Sequence, residues 1–402
     1  MSTAYRTLWI ASILSFLATF GIALPYPVLT PLLIDAGTPL SDWFGLDPKL
    51  LLGLVLGAYP LGMLLGANVI GGWSDRRGRR FVVLRTLAGA GLGYGLSLVA
   101  ILLEDFTLLL LSRLFTGFCE GNIAVFRAMA ADLADVFPRT KVFAWSMTAT
   151  FLGWTFGPMS GGLLGELGAD KVFLAGMLVL FAGWLLVAFA LHEDSANGKT
   201  TAASGQALSL YRLADIRGFA VVHFLACLTI NAYYEFFPLW LLERYQLGGL
   251  GIAAFTVVLQ IGMLASSMWL MRDFERRFGL IPAMHRSLAL LGLTLIALPQ
   301  FPLFYFSVAA FVLIGVVNST FFGLFTSEYS ERFQHYGQGR ILGLITFNFS
   351  LAALVIALLG ALLSLIGSAW VLALGGALGL FALMYLLHLR NAQPYAEEAI
   401  HE

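Results

Sequence analysis

Gly71-Gly72-Trp73-Ser74-Asp75-Arg76-Arg77-Gly78-Arg79-Arg80 is a short polar stop between two apolar runs, near 50–72 and 82–103. Each run reaches the roughly 20 residues that a helix needs to cross the hydrocarbon core. The glycines permit a tight turn and the arginines mark the side that stays in the cytoplasm. Working outward, the same alternation recurs along the chain. Apolar stretches lie near 8–34, 50–72, 82–103, 107–133, 142–164 and 172–191, then near 218–241, 250–271, 282–300, 303–327, 340–366 and 369–389. With 402 residues, 59% hydrophobic and 11% charged, and a mean hydropathy of +0.86, the composition excludes a soluble protein. Twelve spans of about 22 residues leave no room for a soluble catalytic domain. The chain is expected to be an all-α integral membrane protein of twelve transmembrane helices in two pseudo-symmetric six-helix bundles.

Charge placement orients it. Lys plus Arg and Asp plus Glu number 23 each, so net charge points to neither nucleic acid nor an acidic partner. With the N-terminus inside, eighteen Lys and Arg residues fall on the cytoplasmic side, against Lys49, Lys171 and Arg244 outside. Both termini are therefore predicted in the cytoplasm, in a cell inner membrane. The longest polar stretch divides the chain into bundles 1–192 and 218–402 around a cytoplasmic linker, 193–217. Gly78 and Gly279 close similar basic turns at an offset of 201, as two parallel halves would require. Cys119 and Cys227 lie in apolar runs and suggest neither a disulfide nor a metal site. No metal-ligand cluster, phosphate loop or nucleophile triad is present to make it an enzyme, and no cofactor is implied. Energy is expected to come from an ion gradient.

The opening stretch resembles the signature of the major facilitator superfamily, Gly-x-x-x-Asp-Arg-x-Gly-Arg-Arg, at Gly71, Asp75, Arg76, Gly78, Arg79 and Arg80. The resemblance implies a conformational latch, in which Asp75 faces the start of the eleventh span near Arg340 and Arg79 reaches Asp132 or Asp135. A carboxylate at a helix N-terminus is favourable on physical grounds as well. In the fifth span, Gly153, Gly157, Pro158, Gly161 and Gly162 resemble the Gly-x-x-x-Gly-Pro-x-x-Gly-Gly segment of the twelve-span drug:proton antiporters. The same residues are also suited to plain helix packing.

The fourth span carries Arg113, Glu120 and Arg127 at intervals of seven, on one helical face. Charges in hydrocarbon cost at least ~2.5 kcal/mol each, so they should face a polar cavity and one another. Arg113-x-x-x-Gly117 resembles the family's fourth-span motif, which implies a part in proton transfer. Glu120 and Glu235 are the acids well inside predicted spans. Burial favours a protonated carboxyl and an approaching guanidinium an ionised one, which is the chemistry of a proton-coupled exchanger. Tetracycline-type exporters often place an acid in the first span, where this chain has Ala18. The coupling role is thereby left to Glu120, Arg113, Glu235 and Arg127.

Tyr26, Asn122, Trp154, Asn231, Tyr234 and Phe347 are candidates to line a substrate cavity, with Tyr59 and Tyr233 among the further aromatics. His223 reads as a satisfied helix histidine, and Asn318-Ser319-Thr320 as a chance glycosylation sequon inside a span. The expected function is proton-coupled efflux of an amphipathic small organic molecule by a monomer in the lipid bilayer. The alternative is a proton symporter importing a metabolite or siderophore-like compound.

Overall fold

The computed structural model describes residues 3–34, 38–122, 125–126, 129, 139–190, 210–301, 303–336 and 338–392. A helix stands at each of the twelve expected positions. The first span is Thr3–Ala23, continued after a break at Leu24 and Pro25 by Tyr26–Ile34. The next five are Pro48–Arg77, Arg79–Leu102, Phe106–Glu120, Arg139–Gly165 and Ala169–Ala190. The seventh to twelfth are Ala214–Tyr245, Gly249–Phe278, Leu280–Gln300, Phe304–Arg332, Gln338–Ser364 and Ser368–Ala392. Among the described residues, ten helices are long and apolar enough to cross a membrane.

Three elements differ from the sequence reading. Pro25 lacks an N–H, and the first span breaks there instead of running unbroken from 8 to 34. The regular fourth helix ends at Glu120, with Gly121 as its cap; residues 125–126 and 129 are again helical, and the rest of the expected span to 133 lies outside the described residues. The eighth span continues to Phe278 through Arg272, Asp273, Glu275, Arg276 and Arg277, because a helix satisfies its own backbone whatever the side chains carry.

The chain forms two compact units, one of Met1–Ser204, Pro238–Val257 and Ala357–Leu365, the other of Gly205–Phe237, Val258–Ile356 and Ile366–Glu402. In the first, the second span packs on the fourth, the first on the fifth and the third on the sixth. Lys49 Nζ meets Glu243 Oε1 at 2.6 Å and the Ser364 carbonyl oxygen at 2.9 Å. In the second, the ninth span packs on the tenth and on the twelfth.

The internal repeat is visible in backbone geometry. Gly78 turns the second span into the third at φ +90°, and Gly279 turns the eighth into the ninth at φ +79°, a region that L side chains rarely occupy. The second and fourth spans touch through glycines: a Cβ on Gly62 would stand 2.1 Å from the Leu114 carbonyl, and one on Gly117 2.1 Å from that of Tyr59. The eighth and tenth repeat this contact, Gly262 against the Val312 carbonyl at 2.3 Å and Gly315 against that of Leu259 at 2.2 Å. Residue 62 thus corresponds to 262, 59 to 259, 114 to 312 and 117 to 315.

Candidate functional site

Glu120 ends the fourth-span helix with a carboxylate that is 1% exposed, and Arg113 lies two turns earlier at 4%. Tyr59, from the second span, connects them. Its hydroxyl donates to Glu120 Oε2, and its ring lies beneath the Arg113 guanidinium, 4.8 Å from centroid to Cζ. The close approach of Gly117 to the Tyr59 backbone brings this ring within reach of both. Tyr94, from the third span, adds a second face at 5.9 Å and donates its hydroxyl to the Gly21 carbonyl of the first. Gly21 has no side chain, and a Cβ there would stand 3.8 Å from Glu120 Oε1. Among the described residues, Glu120 Oε1 and Arg113 Nε and Nη1 have no hydrogen-bond partner. Four spans therefore converge on a buried acid, one oxygen of which is held by Tyr59, beside a guanidinium held by ring faces.

The other expected positions are placed as follows. Asn122 donates to Thr86 Oγ1 at 2.9 Å, tying the fourth span to the third. Arg79 donates to Ser74 Oγ at 3.1 Å and Arg80 to the Ala188 carbonyl at 2.9 Å, in the last turn of the sixth span, where the helix dipole favours a cation. Arg76 is exposed and Gly71 half-buried. Arg127, Asp132, Asp135 and the side chain of Asp75 lie outside the described residues. In the fifth span, Gly153, Gly157 and Gly161 press on the first span; Cβ atoms on them would come within 2.7 Å of Thr19, 2.8 Å of Ala23 and 1.8 Å of the Leu24 carbonyl. Gly162 faces the other way, 2.5 Å from Ala253 of the eighth span, and Pro158 is buried between them.

In the second unit, Glu235 is 8% exposed, and its Oε2 has no partner among the described residues. Asn231 donates to the Cys227 carbonyl at 2.8 Å, and the Tyr234 hydroxyl meets Met263 Sδ at 3.4 Å. His223 is held by Asn348 Nδ2 at 3.4 Å and Cys227 Sγ at 3.6 Å, stacked on Phe325. Tyr26, Trp154 and Phe347 are half-buried. The sequence reading missed the coupling of Tyr94 and Gly21 to the Glu120 site. No spacing within one helix signals it, because it joins the third span to the first. Among the described residues, no group of His, Cys, Asp and Glu is arranged to hold a metal ion.

The sequence signature described as Major Facilitator Superfamily matches residues 8–357. The chain belongs to the major facilitator superfamily. This major facilitator is 32% identical over 186 residues to the tetracycline resistance protein, class B, of Escherichia coli, covering 46% of this chain and 44% of that one. It is 35% identical over 112 residues to the human major facilitator superfamily domain-containing protein 10, covering 28% and 24%. The chain spans less than half the length of these curated relatives in the matches. The crystal structure of the human organic anion transporter MFSD10 (TETRAN) superposes over 96% of this chain and 100% of that one, with a TM-score of 0.72 at 22% identity. The D-xylose-proton symporter superposes over 96% and 97%, with a TM-score of 0.75 at 14% identity. At such identities the likeness speaks for the fold. The molecule is a multi-pass membrane protein of this family.

Proposed function

We propose that this transporter exports an amphipathic small organic molecule in exchange for protons, with Glu120 carrying the proton. The observation that carries the reading is a buried carboxylate held through one oxygen by Tyr59, whose Oε1 has no hydrogen-bond partner among the described residues. Protonation removes a charge that burial disfavours, and deprotonation is supported by the Tyr59 hydroxyl and the neighbouring Arg113. Glu120 can therefore exist in either state without losing its packing. Small movements of Arg113 or Tyr59 during alternating access would favour one state over the other. Outward direction is supported by relatives named for tetracycline resistance, since a membrane transporter confers drug resistance by removing the drug. The Gly153 to Gly162 packing against the first and eighth spans agrees with the antiporter-like motif.

Glu235 is the reserve acid, and Tyr26, Trp154, Asn231, Tyr234 and Phe347 are proposed lining residues of the path. The bundles 1–192 and 218–402, both termini in the cytoplasm and the Asp75 latch complete the proposal. The test is transport of tetracycline into inverted membrane vesicles, with and without an inside-acid pH gradient. Accumulation that requires the gradient supports proton-coupled export. Accumulation only with the opposite gradient would identify a symporter.

A further inference from the structure

The repeat relating 62 to 262 and 117 to 315 carries Glu120 onto Asn318, Arg113 onto Phe311 and Tyr59 onto Leu259. The second half thus has an uncharged amide where the first has its acid. Just beyond it, the first half packs bare backbone: Cβ atoms on Gly66 and Gly121 would stand 2.0 Å from the Phe118 carbonyl and 2.6 Å from Ala67 N. Their counterparts are Ser266 and Ser319, flanked by Ser267 and Thr320. Side chains now fill the gap: Ser266 Oγ pairs with Thr320 Oγ1 at 2.7 Å and Ser267 Oγ with Ser319 Oγ at 2.8 Å. The eighth span widens there into a π-helical turn, Ser266–Leu270, whereas the second span is α-helical throughout Pro48–Arg77. Such turns are frequent at functional sites.

Asn318 itself is 4% exposed, and its Oδ1 has no hydrogen-bond partner among the described residues. Its side chain is within hydrogen-bonding reach of the Tyr234 hydroxyl, which also meets Met263 Sδ one turn before the π-helical segment. A buried amide oxygen left unpaired beside a widened turn is a cost that folding alone does not explain. We infer that Asn318 and Tyr234 form the ligand-binding counterpart of the Glu120 site and take an O–H or N–H donor of a neutral, hydroxylated or amide-bearing ring compound. The halves divide the work, one titrating and the other recognising. This rests on the transport reading for the ligand being a small organic molecule.

The test is equilibrium binding to the purified full-length protein, with two probes. Tetracycline carries hydroxyls and a carboxamide on fused rings, while tetraphenylphosphonium has aromatic rings and no such donor. Wild type should prefer tetracycline. Asn318→Leu, which keeps the volume and removes the amide, should weaken tetracycline about ten-fold and leave tetraphenylphosphonium unaffected. Tyr234→Phe should act in the same direction, and Asn318→Gln should recover part of the loss. Unchanged tetracycline affinity in Asn318→Leu and Tyr234→Phe overturns the inference and leaves proton-coupled export standing. Weakened binding in the variants, with no gradient-driven movement by wild type, supports the site and overturns the export reading. Failure of wild type to bind tetracycline, or equal loss of both probes, overturns the assigned ligand class.

Discussion

Tyr59 holds Glu120 through its oxygen and Arg113 through its ring, so changes at this one residue separate the two contacts. Tyr59→Phe keeps the aromatic face and removes the donor. A hydrogen bond to a charged group contributes about 1.5–3 kcal/mol, so thermal stability should fall by that order and gradient-driven turnover by about ten-fold or more. Tyr59→Leu removes both contacts and should fall further; equal turnover of the two variants would show that the ring face contributes nothing. The sequence marked Glu120 and Arg113 because charges seven apart in an apolar run are conspicuous. It marked Tyr59 only as one aromatic among many, because its role depends on a glycine contact between spans. Asn318 read as a chance sequon, because only the superposition of glycine contacts gives its place in the repeat.

At the scale of helices, packing outweighs surface pairing. A methyl on Gly161 has to displace the Leu24 carbonyl, whose oxygen would lie 1.8 Å away. Gly161→Ala should therefore destabilise by about 1–3 kcal/mol, seen as a lower unfolding temperature in detergent. On Gly72 the nearest atom is the end of a flexible side chain, Arg76 Nη2 at 3.9 Å, so Gly72→Ala should be neutral. Lys49 and Glu243 are half-exposed, and Lys49→Ala should cost less than about 1 kcal/mol despite the 2.6 Å contact. A larger loss from Lys49→Ala than from Gly161→Ala would reverse this ranking. Apolar length placed all twelve helices, since crossing hydrocarbon imposes it. It missed the break at Pro25, the charged extension to Phe278 and the π-helical turn. These are set by backbone hydrogen bonding and neighbouring spans, which hydropathy does not measure.

For the molecule as a whole, the proposed orientation predicts that a cysteine at Ser204 is labelled from the cytoplasmic side and one at Thr38 from the opposite side. Labelling of both from one face would contradict it. The proposed coupling of alternating access to a single buried acid makes a sharper demand. Glu120→Gln keeps the shape of the side chain and cannot ionise, so it should remove the link between proton and substrate without removing either substrate binding or rocking of the halves. The direct measurement compares two modes of tetracycline movement in vesicles containing Glu120→Gln: accumulation driven by a pH gradient, and exchange of labelled for unlabelled compound without one. Proton coupling at Glu120 predicts that accumulation is lost while exchange persists near the wild-type rate. Accumulation at the wild-type level across the same gradient would contradict it.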